Sequence, residues 1–116
     1  MKVVINRCFG GFGLSHDAVL RYAELKDMKL VVEEKESSFS KYAYYVDRKS
    51  DDTYWYDGMI EDRSDPALVQ VVEELGDKAS GWAAKLTVVE IPDNISWYIH
   101  EYDGMERVDE DHRTWS

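Results

Sequence analysis

The sequence predicts an α+β fold, a mostly antiparallel sheet with two helices packed on it, in a single domain spanning residues 1–116. Three observations point there. Two stretches carry apolar residues at helical spacing directly behind a capping residue. Seven short runs are rich in β-branched and aromatic residues, which cover a pleated surface well. One Asp-Gly pair sits between two of those runs, where a tight hairpin turn belongs. The resulting order is β-α-β-β-β-α-β-β-β. A chain of 116 residues, 44% apolar and 13% aromatic, is long enough to bury one modest core.

Each element has its own signal. Residues 2–8, beginning "KVVIN", read as a strand apolar on both faces, the pattern of an interior strand. Ser15 stands at an N-cap position, with Asp17 in the first turn where the helix dipole favours negative charge. Val19, Tyr22 and Ala23 form the stripe of that first helix, which is expected to end near Asp27. "MKLVVEEKE" is a second strand running into the polar stretch "EEKESSFSK". In "KYAYYVDRKSDDTYWYDGM" two aromatic runs flank a turn-forming segment and read as a hairpin. The second helix is the clearest element: Asp65 caps it, Pro66 occupies its first position and Gly76 closes it. Leu68, Val71, Val72 and Leu75 fall at i, i+3, i+4 and i+7 and are expected to be its buried face. "KLTVVEI" is a strand stopped by "PDN". "SWYIHEYDGMERVDED" is a hairpin about Asp103-Gly104, placing Ile99 opposite Val108, His100 opposite Arg107, and Glu101 opposite Glu106. "YDGM" occurs at 56–59 and 102–105, and its flanks do not align, so two independent turns are expected.

Composition narrows the function classes. Lys and Arg number 14 against 24 Asp and Glu, a formal charge of −10. Such a field repels nucleic acid and anionic membrane, so neither is an expected partner. The lone cysteine, Cys8, leaves no intramolecular disulfide and fits a reducing cytoplasm. The apolar run at the N-terminus is too short for a signal peptide, and no stretch nears the roughly 18 apolar residues of a membrane helix. Cytoplasmic localisation is the expectation. A homo-oligomer is compatible with all of this.

The candidate chemistry centres on "CFGGFGLS", where a strand passes through a glycine turn into a helix. Orphaned N–H groups at a helix N-terminus attract anions, and glycines let a ligand approach the backbone. The stretch is not a P-loop, and His16 stands where a dinucleotide motif needs its third glycine. An anion site and a purely structural turn both remain open. Cys8 would need a positive neighbour to act as a nucleophile, and an end-of-strand cysteine is more often inert. His16, His100 and His112 lack metal-ligand spacing, so no metal, catalytic residue or cofactor is assigned. Guanidinium is the preferred partner of phosphate and carboxylate. Arg7, Arg63 and Arg113 therefore join Gly10, Gly11, Gly13 and Ser15 as the expected ligand-binding set. One shared site would require both helix N-termini and the C-terminal tail, "EDHRTWS", to converge at one sheet edge. The tail ends on Trp115, which is expected to dock on the body.

Four stretches in one order, "INRCFGGFGLS", "DRSDPALVQVVEELGDKASG", "VVEIPD" and "WYIHEYDGMERV…HRTW", resemble a family of small proteins encoded by tailed bacteriophages. The segment from about Glu33 to Tyr56 lies outside the likeness. The resemblance implies an accessory role in an infected bacterial cell and carries no catalytic residue. Three function classes follow. The first is a non-enzymatic phage accessory protein, of a counter-defence kind, that binds a small anionic ligand such as a signalling nucleotide. The second is an acidic protein-binding inhibitor or DNA mimic acting on a host protein. The third is a small enzyme using Cys8 or a histidine.

Overall fold

A computed structural model describes residues 1–35 and 41–110 of the chain. The elements follow the expected order: β1 (Lys2–Asn6), α1 (His16–Leu25), β2 (Leu30–Glu34), β3 (Tyr42–Val46), β4 (Tyr54–Trp55), α2 (Pro66–Leu75), β5 (Leu86–Glu90), β6 (Trp97–Tyr102) and β7 (Met105–Glu110). Every pairing is antiparallel, and the fold class is α+β. The strands do not form one sheet, however. Among the described residues they divide into β1-β5, β2-β3-β4 and β6-β7.

The second edge of β1 is closed to any further strand. β1 pairs with β5 through Val3↔Val89 and Ile5↔Thr87, and its second edge presents the N–H groups of Val4 and Asn6. The Arg63 carbonyl accepts from Val4 N–H at 2.9 Å, and the Glu106 carboxylate accepts from Asn6 N–H at 2.8 Å. Buried donors must be satisfied, and here a loop carbonyl and a side chain satisfy them. No further strand can add at that edge. Val3, Val4 and Ile5 are nevertheless buried as completely as in a central strand, at 0%, 0% and 1% exposure.

The helices form as their caps and stripes dictate. Ser15 Oγ accepts from Ala18 N–H, and Ala18, Val19, Tyr22 and Ala23 are buried on α1. α1 stops at Leu25, two residues before Asp27. Asp65 Oδ1 accepts from Ala67 N–H at 2.9 Å, while its Oδ2 takes the Tyr22 hydroxyl at 2.9 Å and Lys26 Nζ at 3.1 Å. One carboxylate thus caps α2 and ties it to α1. Burial raises the Asp65 pKa, but the Ala67 N–H, Lys26 and Tyr22 outweigh it and hold the carboxyl below its ordinary value. On α2, Leu68, Val71 and Val72 are buried as expected. Leu75 is only half-buried, and Val69 is buried in addition. The buried face is therefore shifted toward the start of α2, which packs against α1, β1 and β5.

The two "YDGM" copies fold differently. At 102–105, Asp103 and Gly104 both have positive φ, 52° and 88°, as a two-residue hairpin turn requires. The register is the expected one, with Ile99↔Val108, His100↔Arg107 and Glu101↔Glu106. At 56–59 the same four residues make a 3₁₀ turn, Asp57–Met59.

Candidate functional site

The glycine turn is packed on both sides by the protein's own backbone. On one side lies the tip of the β6–β7 hairpin. Gly10 N–H donates to the Asp103 carbonyl at 3.4 Å, and Asn6 Nδ2 donates to the Gly104 carbonyl at 2.7 Å. A Cβ on Gly104 would stand 2.4 Å from Gly11 N and 2.7 Å from Gly10 N. On the other side is the segment after α2, where a Cβ on Gly10 would stand 2.8 Å from the Ala83 carbonyl. These glycines allow three backbone segments to meet. That is the structural reason for the opening run of glycines, whatever else the turn does.

Gly104→Ala therefore tests the packing. The alanine would sit at φ +88°, with its Cβ against backbone that cannot swing away. Left-handed strain alone costs about 1–3 kcal/mol, and the clash adds to it. Gly11→Ala, at φ +105° with nothing within 4 Å, carries the strain without the clash. The expected result is a lower thermal midpoint for Gly104→Ala than for Gly11→Ala. Faster hydrogen exchange at Gly10 and Asn6 should accompany it. Equal midpoints would show that the hairpin tip is not held this closely.

Several N–H groups that would cradle an anion are already bonded. Leu14 N–H donates to Asp57 Oδ2 at 2.8 Å, so the chain places its own carboxylate beside the turn. Ser15 N–H donates to the Ala79 carbonyl at 2.9 Å. Ser15 Oγ caps α1 and also donates to the Lys78 carbonyl at 2.6 Å.

Beside the turn opens a cleft of about 780 Å³, within the size range of small-molecule sites. Its lining includes Gly10, Gly11, Gly13 and Ser15 of the turn together with Tyr42, Tyr44, Tyr54 and Tyr56. Phe12, His16, Asp57, Lys41 and Trp82 are also among the residues that line it. The inner part is pre-organised. The His16 ring stacks on Tyr42 with centroids 3.8 Å apart and planes 11° apart, and its Nδ1 shares a hydrogen bond of 2.7 Å with the Tyr44 hydroxyl. Burial, and then the charge of Asp57, push the Tyr44 phenol up to about 12. It stays neutral at ordinary pH, so the pair offers hydrogen-bonding capacity and ring surface rather than an oxyanion nucleophile. Toward the mouth, Tyr54 and Tyr56 stack at 5.9 Å and are 46% and 48% exposed, while Trp82 is 87% exposed.

The predicted ligand set divides. Gly10, Gly11, Gly13 and Ser15 border the cleft together. Arg7 is exposed and is not a lining residue. Arg63 also does not line the cleft. Its guanidinium makes a bidentate pair with Glu106, Nη1–Oε1 2.7 Å and Nη2–Oε2 3.0 Å, and lies 3.7 Å over the Phe12 ring. Glu106 thus has a cation of its own, while its opposite number Glu101 accepts from Gly104 N–H at 3.0 Å. Arg113, His112 and Trp115 lie outside the described residues. Cys8 is half-buried, with its thiol donating to the Phe9 carbonyl at 3.4 Å. Among the described residues no group of three or more His, Cys, Asp or Glu side chains is placed to hold a metal ion.

Sequence reasoning missed Lys41, Asp57, Trp82 and the four cleft tyrosines. The aromatic runs "YAYY" and "TYWY" were the available signal: they alternate more rings than one buried face needs. No family model, curated protein or solved structure matches the chain. No helix among the described residues is long and apolar enough to cross a membrane.

Proposed function

We propose that this chain is a non-enzymatic accessory protein, of the tailed-bacteriophage type its motifs resemble, that binds a small anionic ligand in the cleft between the glycine turn and the tyrosine strands. The observation that carries this reading is the composition of the walls. Lys41, the start of α1 with His16, and the polar backbone of the turn face the same cavity as four tyrosines and a tryptophan. An aromatic pocket with a few convergent polar groups is the usual form of a ligand site. Among the described residues Lys41, rather than Arg7 or Arg63, is the positive charge at the ligand. If the ligand is a host signalling nucleotide, sequestering it in the infected cytoplasm would serve counter-defence.

The test is mass spectrometry of small molecules released when the purified protein is denatured. An anionic compound near one equivalent is expected from the wild type. Lys41 is exposed, so Lys41→Glu should leave the fold intact and release far less. Equal recovery from both proteins, or none from the wild type, would overturn the reading.

A further inference from the structure

Resting on that reading, we infer the chemical class of the ligand: a purine nucleotide whose phosphate is a diester bearing one negative charge, with its base stacked on Trp82 and its phosphate at Lys41. The first ground is Trp82. It is 87% exposed and lies in the segment after α2 that closes on the glycine turn, with Gly81 N–H bonded to the Gly13 carbonyl at 2.9 Å. An indole is the largest apolar side chain, and leaving it in water at the mouth of a formed cleft is costly unless a ring covers it. Every base has a π-face, and a two-ring base covers more of the exposed indole than a one-ring base does. The inner aromatics are already engaged with one another through His16, which leaves the rim to take the ligand's ring.

The second ground is charge. Among the described lining residues, Lys41 alone is a lysine or arginine, and Asp57 lies in the same cleft. The amides of Gly10, Leu14 and Ser15 are bonded within the chain. Among the described residues the lining therefore lacks the several cations that a polyphosphate needs. The whole chain carries −10, so each extra negative charge on a ligand meets added repulsion. A phosphodiester, with a single charge, suits one lysine. A nucleoside triphosphate does not.

Isothermal calorimetry on the intact protein, with 3′,5′-cyclic AMP, 5′-AMP and ATP as probes at fixed low salt, tests this. Cyclic AMP is expected to bind most tightly, and ATP at least about tenfold more weakly. Trp82→Ala removes no core contact and should weaken cyclic AMP about tenfold or more, the scale of one lost base stack. ATP binding as tightly as cyclic AMP would overturn the charge selection. An unchanged affinity in Trp82→Ala would overturn the stacking role. Failure of all three probes to bind, with an anion still co-purifying with the wild type and lost in Lys41→Glu, would sink the ligand class and leave the cleft standing. Failure of the probes with no such anion would sink both.

Discussion

Replacing Arg63 with alanine is expected to destabilise the fold by about 3–5 kcal/mol, the usual cost of removing one partner of a buried ion pair. The Arg63 and Glu106 side chains are 17% and 8% exposed, so the carboxylate left behind could not be rehydrated without moving the hairpin. Three elements would loosen together. Glu106 also accepts from the edge amide Asn6 N–H, Arg63 stacks on Phe12, and Arg63 Nη1 donates to the Val4 carbonyl at 3.4 Å. The check is a urea unfolding series on Arg63→Ala and on the double variant Arg63→Met/Glu106→Leu. The double variant removes both charges, so it should recover part of the loss. It should not recover all of it, because Asn6 N–H is left without its acceptor at a cost of about 1–3 kcal/mol. A single variant as stable as the wild type would show that the pair is solvated and that β1 gains nothing from it.

Leu68→Ala should cost about 2–5 kcal/mol, the range for a buried leucine cut to alanine. Leu68 is 0% exposed and packs in the cluster that joins α1, α2, β1 and Trp55, where rigid neighbours limit collapse into the cavity. Leu75→Ala serves as the comparison. Leu75 is half-buried at the last turn of α2, so its truncation should cost clearly less. Both are read from denaturant midpoints. Equal losses would mean that the buried face of α2 extends to its C-terminus, as helical periodicity alone implies.

That comparison shows what local pattern can and cannot reveal. The α2 boundaries were legible because Asp65, Pro66 and Gly76 act on the adjacent backbone, through a cap, a fixed φ and a left-handed exit. The depth of burial along its stripe was not, because it depends on where α1, β1 and β5 lie. The β6–β7 register was legible for the same local reason, since an Asp-Gly turn sets every cross-strand pair behind it. Its identical tetrapeptide at 56–59 carries no such strand on its C-terminal side, and there Asp57 turns its carboxylate to Leu14 N–H instead.

The candidate site was half legible. A glycine turn between a strand and a helix marks a place where backbone is closely approached, and Gly10, Gly11, Gly13 and Ser15 do border the cleft. What approaches the turn most closely, at Gly104 and Ala83, comes from segments more than 70 residues away in the chain. Arg63 looked like an anion's partner because it is a cation at an element junction. Its anion is Glu106, 43 residues on.

The sequence by itself determined the elements, their order, both helix caps and the hairpin register. All of these follow from interactions within a few residues, whose geometry a short stretch of chain can impose. Only the tertiary structure decided that the seven strands of the described residues divide into three sheets, and that the second edge of β1 is closed by a distant carbonyl and carboxylate. It alone brought Lys41, Trp82 and the tyrosines of β3 and β4 against the glycine turn. Such meetings depend on how apolar faces and unsatisfied donors from separate elements find one another, and no local spacing encodes them.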